Sequence, residues 1–223
     1  MEAIPCILSR RSVRKFRPEK IREETLHTIL DAANAAPCAG GIQSWRFLVV
    51  EDEQKKKIIA KAALGQNWIA EAPVVVLLCS DPETLEKEYG ERGKLFDYQN
   101  VALAAENLML AAWNFGIGST FVGSFTEFLL RKELKIPDSI RIHAIIPLGY
   151  PAEVPRRIQK IGIEDITFFE EWKRVVSKER EVVAGLTFPE RPSSPQLRIG
   201  ELAEETAKKI VKKIKPKIRK TKK

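Results

Sequence analysis

Cysteine and histidine are scarce in this chain of 223 residues, with three Cys, at 6, 38 and 79, and two His, at 27 and 143. Three cysteines without a recurring spacing argue against a disulfide framework and for a reducing compartment. Two histidines so far apart leave almost nothing from which to build a His-based metal site. Long hydrophobic runs are missing too. The most apolar stretches are Ala72–Cys79, which is strand length, and Val101–Trp113, interrupted by Glu106 and Asn107. Neither reaches the ~20 residues that span a bilayer. The N-terminus has no apolar core of the kind a secretion signal needs, so a soluble, cytoplasmic protein is expected.

Acidic residues are absent where basic ones are densest, in the C-terminal tail. Thr206 to Lys223 holds nine lysines, Arg219 and no carboxylate, and this tail accounts for the formal net charge of +8. Residues 1–205 hold 28 basic against 30 acidic residues. The body is slightly acidic, and the cationic character that invites a nucleic-acid reading belongs to the tail.

The rest of the chain reads as mixed elements. Residues 3–9 suit a short helix and 10–16 an extended segment ending at Pro18. Leu26, Ile29, Leu30 and Ala33 recur at helical spacing, which predicts a helix over 23–36 stopped by Pro37. Strands are predicted at Trp45–Glu51, at Val74–Cys79 and at Arg141–Tyr150. The second is a continuous β-branched and Leu run, the mark of a strand buried on both faces. Helices are predicted at 53–63, 95–115 and 126–134. The longest is apolar nearly all round and belongs in a core or a subunit interface. Residues 163–178 read as partly helical, 185–200 as a proline-bearing linker and about 200–214 as an amphipathic helix. Without strict βαβ alternation the pattern is α+β.

Few segments could carry chemistry. In an extended chain Arg10, Ser12 and Arg14 project to one side, and two guanidinium groups flanking a hydroxyl make a receptor for phosphate. A solvated basic patch is the competing reading. The small-residue loop Pro37–Ser44 lets backbone approach a flat ligand. Cys38 within it has no His, Asp or Asn partner nearby in sequence and reads as a structural thiol, and Trp45 reads as a core anchor. Gly116-Ile117-Gly118 lacks the third glycine of a dinucleotide fingerprint and follows a helix where that motif follows a strand.

Taken in order, these segments resemble the nitroreductase family of FMN-dependent oxidoreductases. The resemblance rests on Arg10-Arg11-Ser12-Val13-Arg14-Lys15-Phe16, on Ala36-Pro37-Cys38-Ala39-Gly40-Gly41-Ile42-Gln43-Ser44-Trp45-Arg46-Phe47 and on Ala72-Pro73-Val74-Val75-Val76. The long helix into Gly116-Ile117-Gly118 and then Gly149-Tyr150-Pro151-Ala152-Glu153 complete it, over about residues 3–170. It implies an α+β fold with a central mixed or antiparallel sheet flanked by helices, an obligate homodimer, and two FMN sites at the dimer interface. Residues 1–178 would form the FMN-binding domain and 179–223 a linker with a basic C-terminal extension.

The resemblance assigns the flavin phosphate to Arg10, Ser12 and Arg14, with Arg11 beside them. Pro37, Cys38 and Ala39 of the other subunit would line the isoalloxazine, with Gln43 close by. Val122 and Gly123 match the segment whose backbone faces the flavin. Lys160 best matches a basic residue that returns to the phosphate, with Arg157 second, and Gln66 and Asn67 fall where some members contact the ring or ribityl chain. The sequence departs from the family pattern at Cys38 (usually Ser), Gly41 (usually Asn) and Ser44 (usually Pro). The implied activity passes hydride from NADH or NADPH through FMN to a small flat aromatic acceptor, such as a nitroaromatic or quinone, by ping-pong kinetics and with no dedicated catalytic residue. The alternative makes the chain a binding module whose basic tail docks on nucleic acid or an anionic membrane.

Overall fold

The computed structural model describes residues 1–172. The linker at 185–200, the helix at about 200–214 and the basic tail lie outside the described residues. The described chain divides into two compact units, 1–155 and 156–172.

The first unit is built on four strands, β1 (Trp45–Val50), β2 (Val74–Ser80), β3 (Gly118–Ser119) and β4 (Arg141–Gly149), in the order β1-β2-β4-β3 with every pair antiparallel. β2 lies in the middle and every one of its residues is buried. Side chains alternate along a strand, so its continuous apolar run serves two cores at once. Val74, Val76 and Leu78 join the cluster that includes Leu26, Ile29 and Ala33 of α2 (Glu23–Asn34) and Val101, Ala104 and Leu108 of α5 (Glu91–Asn114). Val75, Leu77 and Cys79 join the cluster that includes Ile59 of α3 (Glu53–Ala62) and Leu130 of α6 (Glu127–Leu134). Helices thus cover both faces of the sheet, the α+β arrangement expected.

The long helix starts four residues earlier than its pattern predicts. A separate helix, α4 (Glu83–Tyr89), precedes it, and Gly90 at φ +57° makes the break between them. The central part of α5 packs against α2, but its inward face also carries Asp97 and Asn100.

Helix α1 (Ala3–Ser9) leads into the extended segment, which is tied to the sheet through main chain. Val13 N–H donates to Ser119 O at 2.9 Å, Arg17 N–H to Tyr150 O at 2.8 Å, and Ala152 N–H to Lys15 O at 3.0 Å. Ser12 bridges Ser119 in parallel, which adds a parallel element to an otherwise antiparallel sheet. Two motif glycines make this approach possible. A Cβ on Gly118 would stand 2.6 Å from Val13 Cγ2, and one on Gly149 2.6 Å from Pro73 Cδ and 2.9 Å from Phe16 Cδ1. The second unit contains α7 (Ile163–Ile166) and a stacked ring pair, Phe168 on Trp172, with centroids 4.2 Å apart. Among the described residues no helix is long and apolar enough to cross a membrane.

Candidate functional site

The segment that follows α1 leaves Ser12 half-buried, buries Val13 and exposes Arg14, as period-two alternation requires, but the alternation breaks at Lys15, which is exposed, and Phe16, which is buried. Arg14 lines an open cleft of about 140 Å³ with Gln66, Trp68, Thr120, Val122 and Gly123. Its guanidinium lies 5.8 Å from the centre of the Trp68 ring and makes no ion pair among the described residues. Val122 is fixed by exchanging main-chain bonds with Ile145, at 3.0 and 2.9 Å. Thr120 donates its hydroxyl to Val13 O at 2.5 Å, locking the cleft wall to the arginine segment. An unneutralised cation in a polar cleft suits an anionic group.

Arg10, Arg11 and Ser12 are not among the residues that line this cleft. Arg10 Nε stands 3.6 Å from Glu106 Oε1 of α5. Arg11 folds back, its Nη1 donating to Leu8 O, Ser9 O and Arg10 O at 3.0, 2.8 and 2.8 Å, where a cation meets the carbonyl end of α1. Ser119, bridged to Ser12, is buried and its Oγ has no hydrogen-bond partner among the described residues. Asn67 opens a short 3-10 turn (Asn67–Ile69), is exposed and does not line the cleft. Lys160 belongs to the second unit.

Pro37, Cys38, Ala39 and Gln43 do not line this cleft; the structure gathers them in a second place. Cys38 precedes a 3-10 turn, Ala39–Gly41, in which Gly40 and Gly41 adopt φ +56° and +73°. Both positions lie in the left-handed region that favours glycine. Gly40 is further constrained because Tyr89 Oη sits where its Cβ would be. Asn100 of α5 holds the loop from within: its Oδ1 accepts from Ala39 N–H at 2.9 Å, and its Nδ2 donates to Ile42 O at 3.0 Å and Ser44 Oγ at 3.4 Å. Gln43 Nε2 donates to Asn34 O at 3.3 Å. Trp45 is buried as expected, its Nε1 donating to Asn34 Oδ1 at 3.0 Å.

One turn before Asn100, Asp97 anchors a buried polar cluster. Ser80 Oγ donates to Asp97 Oδ2 at 2.6 Å and lies 2.7 Å from His143 Nε2, which stands 3.2 Å from the same carboxylate oxygen. Burial pushes the Asp97 carboxyl up, but hydrogen bonds from His143 and Ser80, helped by the Ser44 hydroxyl, outweigh it and hold the group below the usual carboxylate range. With the single Ser80 proton given to Asp97, His143 Nε2 faces two acceptors and must carry a proton itself. Ser, His and Asp meet here, but the hydroxyl is fully buried and bonded to the carboxylate rather than activated by the imidazole, so this is not a nucleophilic triad. Elsewhere burial pushes the Cys79 thiol up to about 11.

Sequence reading missed Asp97 and Asn100. The available signal was two short polar side chains, three residues apart, on the same side of the helix as the apolar Val101, Ala104 and Leu108.

Comparison with known proteins agrees with the geometry. The model of the Nitroreductase family matches residues 7–71 and 60–150. A candidate NADH dehydrogenase/NAD(P)H nitroreductase of Methanothermobacter thermautotrophicus is 33% identical over 159 residues, covering 70% of this chain and 80% of the relative. An FMN reductase [NAD(P)H] of Bacillus subtilis is 26% identical over 166 residues, covering 68% and 67%. The solved structure of a nitroreductase family protein from Clostridium novyi NT superposes with a TM-score of 0.63 at 30% identity, over 69% of this chain and 87% of that one.

Proposed function

Because the chain belongs to the nitroreductase family, we propose that it is an FMN-dependent oxidoreductase that passes hydride from NADH or NADPH through bound FMN to a flat acceptor, nitroaromatic or quinone-like, by a ping-pong sequence. The carrying observation is Arg14, a guanidinium without an ion pair among the described residues, in a cleft walled by Val122, Gly123 and Thr120. It suits the flavin phosphate, with Ser12 and the hydroxyl of Ser119 alongside. On this reading Arg10, held 3.6 Å from Glu106, supplies a second cation to the phosphate, while Arg11 stiffens the turn out of α1.

When bound, FMN supplies the redox chemistry, and the protein binds and orients it. A cleft of about 140 Å³ is well below the ~300–1,000 Å³ of a complete ligand pocket, so one chain supplies only part of the site. A second copy of the chain completes it, bringing Pro37, Cys38, Ala39 and Gln43 to the ring. Exposed apolar residues on α1 (Ile4, Ile7, Leu8) and α5 (Leu95, Tyr98, Leu103) support such a homodimer. On this reading residues 1–178 are the flavin domain.

The direct test is purification with FMN. The protein should be yellow, sediment as a dimer, and consume NADH or NADPH only with flavin present, with parallel lines in double-reciprocal plots at varied acceptor. A protein that retains no flavin and shows no FMN-dependent oxidation of either nucleotide overturns the reading.

A further inference from the structure

We propose that Asn100 is a positioning residue for the flavin-facing loop, setting the conformation of residues 38–44 from inside the core. The inference rests on the functional reading above only for what the loop faces. The positioning itself rests on geometry. One amide, 1% exposed, accepts from Ala39 N–H and donates to Ile42 O, which fixes both ends of the glycine turn between them. The turn has no side chain at Gly40 or Gly41 with which to hold itself, and their positive φ values give it no intrinsic preference for this shape over others open to glycine.

The backing of that amide is equally fixed. Ser44 is 2% exposed, accepts from Asn100 Nδ2, and stands where the family pattern has proline, a residue with neither a hydroxyl nor an N–H. Its carbonyl accepts from Asp81 N–H at 2.9 Å at the end of β2, so the loop exit is tied to the sheet. The Ser44 hydroxyl also helps hold the carboxyl of Asp97, one turn earlier on α5. Two of the three departures from the family pattern meet here. The amide absent at Gly41 is matched by one directed onto the same loop from Asn100, and the proline absent at Ser44 is replaced by a hydroxyl that holds this amide. The loop's side of the site is therefore built by α5 rather than by the loop.

Cys38 reports on this without any flavin. It is half-buried at the start of the turn, whereas Cys6 and Cys79 are buried with thiols raised by that burial. In flavin-free full-length protein, labelling of Cys38 by a disulfide reagent should speed up on the order of tenfold in Asn100→Ala, the effect of losing two hydrogen bonds to main chain and the longer one to Ser44 Oγ. Cys6 and Cys79 should keep their rates. Asn100→Asp, the same shape, keeps the acceptor for Ala39 and loses the donor to Ile42. Its labelling should also exceed the parent's, by a ratio that narrows on acidification as a protonated carboxyl regains one donor. With FMN added, both variants should shift the visible absorption bands and midpoint potential of bound flavin, while Leu130→Ala, a core variant of the other cluster, should shift neither. Unchanged Cys38 labelling in a folded Asn100 variant overturns the positioning role. Faster labelling with an unchanged flavin spectrum and potential overturns the link to the flavin, and absence of FMN binding by the parent protein overturns the functional reading while the labelling still decides the loop.

Discussion

Residues 10–17 and residues 37–44 carry the two halves of the flavin site proposed above, and they are held in different ways. The first segment is tied by main-chain bonds to Ser119 and Tyr150 and by Val13 and Phe16 packed onto glycines, so its outward side chains carry little of the fold. The second is a glycine turn whose hold on the core passes through the side chain of Asn100, with one main-chain bond at its exit, from Asp81 N–H to Ser44 O. Main-chain anchoring frees side chains for a ligand, whereas side-chain anchoring exposes a loop's shape to a single substitution.

The sharpest test of that contrast is Arg14→Ala. If the segment is held by its backbone, stability should change by less than about 0.5 kcal/mol while FMN binds roughly ten- to a hundredfold more weakly, the worth of one charge-assisted contact. Urea unfolding and flavin titration measure the two effects, and a large stability loss with unchanged affinity would break the comparison. Gly118→Val attacks the anchoring itself. The new side chain collides with Val13, and overpacking of this kind costs about 1–3 kcal/mol. Unfolding should show that loss, and flavin affinity should fall with it; a fully stable Gly118→Val protein would mean that the segment is held by something else.

The smallest effect concerns acid. The Asp97 carboxyl titrates below its ordinary 3.8 in the folded protein, so its charged form stabilises the fold. That stabilisation is complete above the unfolded value and is lost as pH falls below it, through the lower folded value. Asp97→Asn should therefore flatten the dependence of stability on pH below about 4, as read from unfolding midpoints in a pH series. Equal slopes for the variant and its parent would remove Asp97 from the account of the loop's backing.

Much of this was legible in the sequence because the signals were local or periodic. The unbroken run from Val74 to Cys79 announced a strand covered on both sides, and the structure packs a separate core on each. Pro37 stopped α2, which ends at Asn34, and Gly116 closed α5. The family motifs were visible as ordered short segments. What stayed hidden was non-local. Asn100 lies 58 positions from Ile42, and His143 lies 63 from Ser80, separations that no periodicity reports. Nor did Arg10, Arg11 and Arg14 differ in sequence as they do in space, where Arg14 is the one of the three that lines the cleft, with no ion pair among the described residues.

The sequence by itself determined the layers, the buried strand, the family and the position of its motifs, because hydrophobic spacing and residue type are properties of neighbours along the chain. Only the tertiary structure decided which arginine faces the cleft, why Gly118 and Gly149 must lack side chains, and that an amide on α5 shapes the loop at 38–44. Those depend on which distant segments meet, and the burial of polar groups there forces each to find its partner from another part of the chain.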